Sequence, residues 1–199
     1  MRPLLLITIP VLLSCGHSSA DKESIPGTAA IIVTVPKDTV AKTGQQFYKA
    51  PDETAVNGSL SKKFGDKWHV LNDREGKWIK DVFTSFIVPK RTENPNYPYI
   101  TKGDFNNDGV TDTAAVITDK NKKEFRVAIL LSNEEIQLWK ENVLINAALS
   151  TAPKGSAAVA GTVDHPKKIK MLTDGINVEY FNQSSFVVYK SGHTFKRIQ

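Results

Sequence analysis

Cysteine occurs once in 199 residues, so no intrachain disulfide framework exists and the fold must rest on a packed core, with or without help from a metal. Histidine is nearly as scarce: His17, His69, His165 and His193 are scattered, and none has partners at the short spacing of a zinc or metallohydrolase motif. Asp164-His165 is the one acid–histidine neighbour, and it reads as an exposed loop rather than half of an acid–base pair. There is no G-x-S-x-G and no glycine-rich phosphate cradle, so no catalytic residue is assigned. No apolar run reaches the roughly 20 residues that cross a bilayer. A net charge of +5 is spread over small clusters, Lys62-Lys63, Lys122-Lys123 and Lys167-Lys168-Lys170. Without a long basic block or interleaved aromatics, nucleic acid is not expected as a partner. The clusters read as solvated faces, with attraction to anionic lipid or envelope polymer as the functional alternative.

What the chain does have begins at its first residues. Met1-Arg2 supplies a short positive segment and Leu4 to Leu13 a mostly apolar one, interrupted by Thr8 and Pro10. That combination suits a cleavable export signal. The tetrapeptide Leu12-Leu13-Ser14-Cys15 that follows resembles the bacterial lipobox, although Leu13 stands where a small residue is commonest. The resemblance implies cleavage before Cys15, a diacylglyceryl thioether on its thiol, and anchorage by two or three acyl chains where one would hold only marginally. Gly16 is not the aspartate that retains some lipoproteins at an inner membrane, which favours an outer membrane where the cell has one. The polar segment after Cys15 reads as a flexible tether. The organisation expected is therefore a signal over 1–14, a tether over 15–29 and a single domain over 30–199.

Hydrophobic residues at 40% and charged residues at 24% are ordinary for a globular chain. Ala30 to Val35 reads as a strand stopped by Pro36, and Trp68 to Leu71 as another. Between them, the polar stretch Lys37 to Gly65 shows only turn signals, Pro51-Asp52 and Asn57-Gly58. Trp78, Ile79, Val82, Phe83, Phe86 and Ile87 recur at the spacing of one helical face and predict a core-packing helix over Glu75–Val88, stopped by Pro89. Prolines after Asn94 and Tyr97 make a rigid loop of 91–99. Thr113–Thr118 and Arg126–Leu131 read as strands joined by a turn at Asp119–Lys123. Glu134–Ala148 carries Ile136, Trp139, Val143 and Ala147 on one side of a second helix, with Val143-Leu144-Ile145 equally readable as strand. Thr151–Gly161 reads as a small-residue loop. Lys168–Leu172, Ile176–Asn182, Phe186–Lys190 and Thr194–Ile198 alternate, with turn signals between them including Asp174-Gly175, and predict an antiparallel meander. The fold class expected is α+β, mainly antiparallel sheet with one or two helices.

One motif carries chemistry. In Gly103-Asp104-Phe105-Asn106-Asn107-Asp108-Gly109-Val110-Thr111-Asp112, oxygen side chains fall at Asp104, Asn106, Asp108 and Asp112. Calcium takes six to eight hard oxygens. A loop wound about the ion delivers them at alternating positions, with Gly109 permitting the bend and Val110 offering its backbone carbonyl. Three aspartates in so short a loop repel one another unless a cation neutralises them. An EF-hand would need a glutamate where Ala115 stands and helices where a strand is expected. The pattern resembles instead the calcium loop of the FG-GAP/VCBS repeat family, over residues 102–118 alone. Asn72–Gly76 has the wrong spacing for a second copy, and Asp164 and Asp174 lack partners, so the propeller of that family is not implied. A metal-free Asn/Asp/Gly turn is the plain alternative.

These features point to a membrane-tethered envelope lipoprotein, a calcium-stabilised binding or structural module whose ligand is an envelope polysaccharide or protein. Tyr97, Tyr99 and Tyr189 are candidates for its contact face. The alternative is a lipoprotein hydrolase that uses the calcium, with His69 or His165 within reach of the ion. Replacing Cys15 by serine is expected to abolish incorporation of labelled palmitate and release the chain from the membrane fraction. Unchanged labelling would remove the lipobox reading.

Overall fold

The structure, a computed structural model, describes residues 47–161, 166–181 and 183–198. The signal, Cys15, the tether, the Ala30–Val35 strand, His17 and the Asp164-His165 pair lie outside the described residues. The chain divides into Met1–Thr43 and Gly44–Gln199. All the core residues named below belong to the second unit, which thus carries the core it needs to fold as a separate piece.

Helix α1 (Glu53–Phe64) has Glu53 in its first turn and Lys62 and Lys63 in its last, the order that complements the helix dipole, and ends at Gly65 with φ 62°. Val56 and Leu60, one turn apart, are buried. Asn57 Oδ1 accepts the Val70 N–H at 2.7 Å, fastening the helix to strand β1 (Trp68–Val70). The Asn57-Gly58 turn signal therefore lies inside a helix that nothing in the apolar pattern announces.

Helix α2 covers residues 80–90, later than the spacing predicts. It is built from Lys80–Val82, a wide π turn Phe83–Ile87, and Val88–Lys90. Pro89 does not stop it. In the π turn the Val88 N–H reaches Phe83 O, and the i→i+5 spacing eases the crowding that a proline ring creates in a regular α-helix. Trp78 and Ile79 precede the helix, and only Ile87 of the apolar stripe is fully buried. Ile79 and Phe86 are 55% and 38% exposed, so the stripe is core on one side only.

Strand β2 (Ile100–Gly103) leads through the aspartate-rich loop into β3 (Asp112–Asp119), and β4 (Phe125–Leu130) and β5 (Ile136–Leu138) follow. β3 is the spine. β1 and β2 lie along one of its edges, β1 pairing with residues 117–119 and β2 with 112–115, while β4 takes the other edge and β5 pairs with β4, all antiparallel. Ala114, Ala115, Val116 and Ile117 are all fully buried. Covered on both faces, β3 shows a continuous apolar run instead of an alternating one.

The helix expected over Glu134–Ala148 is absent. Glu134 has φ 66°, which reverses the chain, and β4 continues to capture the backbone: Trp139 N–H bonds to Val127 O and Val143 N–H to Phe125 O, both at 2.8 Å. Ile136, Trp139, Val143 and Ala147 are nevertheless all buried. Their spacing marks burial, which the short strand β5 and the irregular chain after it satisfy as well as a helix.

The second sheet uses β6 (Ala148–Ala152), β9 (Gly175–Glu179), β10 (Phe186–Ser191) and β11 (Thr194–Ile198), in the order β11-β10-β9-β6. Residues 151–161 are not simply a loop, since β6 ends at Ala152 and β7 (Ala157–Gly161) pairs with β8 (Pro166–Lys170) as a separate hairpin. The C-terminal meander is thus β9-β10-β11, extended by β6 rather than by β8. Leu149 N–H donates to Pro98 O at 2.7 Å, and the Thr101 and Thr151 hydroxyls meet at 2.8 Å, so the two sheets join at β2 and β6. One hydrophobic cluster takes Val116, Ile117 and Ile129 from the first sheet and Leu149, Ile176, Val178 and Val188 from the second. The class is α+β, mainly antiparallel, in one domain.

Ile117→Ala should cost about 2–5 kcal/mol, read as a lower urea midpoint, because its cavity opens in the doubly covered strand. A change below about 1 kcal/mol would show the spine is not the packing centre.

Candidate functional site

The aspartate-rich segment is the connection of a β-hairpin, because Gly103 and Asp112 are paired across β2 and β3. Phe105, fully buried, plugs the loop into the core. Gly103 leaves room for that ring: a Cβ there would stand 2.8 Å from Phe105 Cε1 and 3.0 Å from Asp174 Oδ2. The bend is made at Asn107 and Gly109, with φ 63° and 84°. Asparagine tolerates that region better than most residues, and glycine enters it freely.

Each aspartate of the loop accepts backbone hydrogens. Asp104 Oδ1 takes the Asp108 N–H and its Oδ2 the Gly109 N–H, both at 3.0 Å. Asn106 Oδ1 also accepts from Asp108 N–H, at 2.9 Å, while its amide donates to Asp108 Oδ2 at 2.8 Å. Asp108 Oδ1 accepts the Val110 N–H at 2.8 Å, and the Ser132 hydroxyl donates to Oδ2 at 2.7 Å. Val110 itself points its side chain to solvent, 54% exposed. Asp112 is buried. Its Oδ2 accepts the N–H groups of Phe105 and Asn106 at 2.9 and 3.2 Å, and its Oδ1 accepts the Ser132 N–H at 2.8 Å. Hydrogen bonds from Asn106 and Ser132 hold the Asp108 carboxyl below the usual carboxylate range. Burial pushes Asp112 above it, against the pull of its three backbone donors.

Three further residues complete the site without any local signal. Asp174, which seemed partnerless in the sequence, accepts the Asp104 N–H at 2.9 Å and the Lys154 N–H at 2.8 Å, and its own N–H donates to Asp104 O at 3.2 Å. Lys154 Nζ reaches Asn107 Oδ1 at 2.7 Å, and Ser132 closes the loop from the end of β4. All three lie at least 20 residues from the loop residue they bind, as Ser132 does from Asp112.

The side chains that could ligate an ion in the loop offer oxygens, a donor chemistry that suits calcium or magnesium rather than zinc. In the described residues no three His, Cys, Asp or Glu side chains converge as a metal cluster. Asp104, Asn106 and Asp108 line the open side, and each carboxylate oxygen that accepts one N–H retains a second lone pair. A cation held there would replace the Asn106 and Ser132 hydrogen bonds to Asp108, with Asp112 bracing the loop from inside.

No acid–base partner stands beside this loop among the described residues. His69 pairs with Thr118 in the β1–β3 register and Asp112 lies at the opposite end of β3, so roughly 20 Å separates them at about 3.3 Å per residue. His69 bonds instead to Glu75 at 3.0 Å, and His193 is exposed in the β10–β11 turn. Ser59-Leu60-Ser61-Lys62, within α1, has the S-x-x-K spacing. The Lys62 side chain is 81% exposed and pairs with Glu134 at 3.5 Å. Tyr97 and Tyr99 are core residues, 2% and 4% exposed, with both hydroxyls pushed up mainly by burial. Tyr189 is half-buried.

Asp112→Ala would strand the Phe105, Asn106 and Ser132 N–H groups and should cost about 2–4 kcal/mol, read by urea unfolding. With its pKa raised on folding, metal-free Asp112 holds its proton more tightly in the folded chain. Its contribution to stability is therefore largest below the ordinary carboxylate range and falls as pH rises through the raised value. Asp112→Asn should lack that component of the pH profile, and identical profiles would remove this titration. In comparison with known proteins, the chain matches no family model, no curated protein and no solved structure.

Proposed function

We propose that the chain is an exported, lipid-anchored module of the cell envelope whose folded unit is stabilised by calcium in the Asp104–Asp112 loop and presents a ligand-binding face. The export signal and the lipobox-like Leu12-Leu13-Ser14-Cys15 support the anchor. The observation that carries the calcium reading is the position of the loop. It closes the β2–β3 hairpin, bonds to the end of β4 through Ser132, and meets the second sheet just before β9 through Asp174. An ion held by Asp104, Asn106, Asp108 and the Val110 carbonyl, with Asp112 behind them, would remove the repulsion between the carboxylates and brace a junction of both sheets. Such a role needs no catalytic partner.

A groove next to the loop supports a binding role. It holds about 400 Å³ between α1 and the β4–β5 connection and is lined by Ser59, Lys62, Lys63, Leu130, Leu131, Ser132, Glu134 and Ile136, with Lys62 paired to Glu134. Ser132 is shared, since its hydroxyl donates to Asp108. Hydroxyls, ammonium groups, the Glu134 carboxylate and aliphatic walls in one groove suit an envelope polysaccharide segment, which offers hydroxyls and apolar ring faces.

Thermal unfolding of residues 44–199 with calcium and then with chelator tests the metal. At ten times the dissociation constant, calcium should stabilise by about 1.4 kcal/mol, a midpoint rise of about 3–6 °C. Asp108→Ala, at an exposed position, should remove the rise and leave the chelated midpoint nearly unchanged. Equal midpoints with and without calcium in the wild type would reduce the loop to an ordinary turn.

A further inference from the structure

Hairpin β7–β8 stands apart from both sheets, pairing only with itself. Its register sets Val159 opposite Lys168 and Ala157 opposite Lys170, and the pairing runs on through Met171 N–H to Ser156 O and Gly155 N–H to Met171 O, both at 2.9 Å. Strand alternation therefore turns Ile169 inward and Lys168 and Lys170 outward, and Leu172 stands in the bend just past the last paired residue, Met171. Burial agrees: Met171 is 1% exposed, Ile169 half-buried and both lysines exposed. Leu172, in that bend, is apolar and turned to solvent. At 75% exposed it is the most exposed large hydrophobic residue described, and Val159, at 58%, is the second. Val159 thus lies on the hairpin with two outward lysines and Leu172 in the bend that directly follows it, while Lys167 is on the other face. No carboxylate pairs with these lysines among the described residues.

We propose that the outward face formed by Val159, Lys168, Lys170 and Leu172 docks on an anionic phospholipid surface. Lysines draw the hairpin to the negative headgroups, each worth roughly a fivefold gain in binding. Leu172 and Val159 enter the headgroup boundary while the lysine stems lie along it. A soluble acidic polymer would satisfy the charges and leave the aliphatic pair in water, which is why a bilayer fits better. The base of the hairpin is braced by the aspartate-rich loop, because Lys154 bonds to Asn107 and to Asp174, which in turn holds Asp104. This docking goes beyond the proposed lipid anchor and calcium site and depends on neither.

Residues 44–199, which lack Cys15, are co-sedimented with vesicles of phosphatidylcholine alone and of equal parts phosphatidylcholine and phosphatidylglycerol, in chelator. Binding to the anionic vesicles only, weakening with salt, is expected. Lys168→Gln/Lys170→Gln should weaken it about thirtyfold and Leu172→Ser about tenfold. All these positions are exposed, so midpoints of thermal unfolding should hold. Lys120→Glu/Lys123→Glu, on the β3–β4 turn, should bind within a few-fold of wild type. No preference for anionic vesicles would overturn the proposal, as would an equal loss in the Lys120/Lys123 variant. Full binding by Leu172→Ser would overturn it in favour of an acidic polymer site. Because the chain tested carries no anchor and no calcium, either result leaves those readings to their own experiments.

Discussion

The Asp112 carboxylate is the point on which the arrangement of the loop depends. A buried carboxylate is costly unless its lone pairs are used, and here three backbone N–H groups use them, two from the loop and one from the end of β4. Those donors would themselves be unsatisfied without the carboxylate. The mutual requirement fixes where β3 begins and where β4 ends. It also brings the outer face of the loop, with Asp104, Asn106 and Asp108, to the same edge. The inner carboxylate is thus structural whether or not an ion sits outside it.

A second buried charge organises the chain around Tyr97 and Tyr99. Arg91 and Asp73, both about one-tenth exposed, meet through two bonds at 2.9 and 2.6 Å. Arg91 Nε donates to Tyr97 O at 2.9 Å, and its guanidinium lies 4.0 Å from the Tyr48 ring centre. The planar fork serves carboxylate, carbonyl and ring together, which an ammonium could not. The 91–99 connection is rigid because of this pair as well as its prolines. Trp78 joins the same region, bonding to the Tyr99 hydroxyl at 2.8 Å and packing edge-on against Phe181.

The charge distribution follows from this division. Lysines near either buried site have partners: Lys102 with Asp52 at 2.7 Å, Lys122 with Glu75 at 3.1 Å, Lys63 with the Ile136 carbonyl at 2.8 Å. Two of the three lysine clusters read as solvated faces are therefore partly tied down by the fold. The third, on β8, is displayed beside exposed aliphatic side chains. Surface lysines of similar local sequence thus have different roles, decided by which carboxylates the topology brings near them.

By itself the sequence determined the mainly antiparallel α+β class, most strand positions and the oxygen-rich loop between β2 and β3. These depend on near neighbours in the chain: alternation, β-branched runs, turn residues and side chains at every second position. It also marked Ile136, Trp139, Val143 and Ala147 as buried, since hydrophobicity reports contact. It could not say that Ile136 lies on a short strand and the others on irregular chain rather than on a helix, because β4 supplies the competing hydrogen bonds. Only the tertiary structure produced α1, a polar helix held through Val56, Leu60 and the Asn57 bond to β1, and carried α2 through Pro89 by a π turn. It turned Tyr97 and Tyr99 into the core and removed His69 from the loop by the length of β3. It alone brought Asp174, Lys154 and Ser132 to the site, and left Leu172 exposed in the bend after β8. Such partnerships join residues tens of positions apart, and no local pattern encodes them.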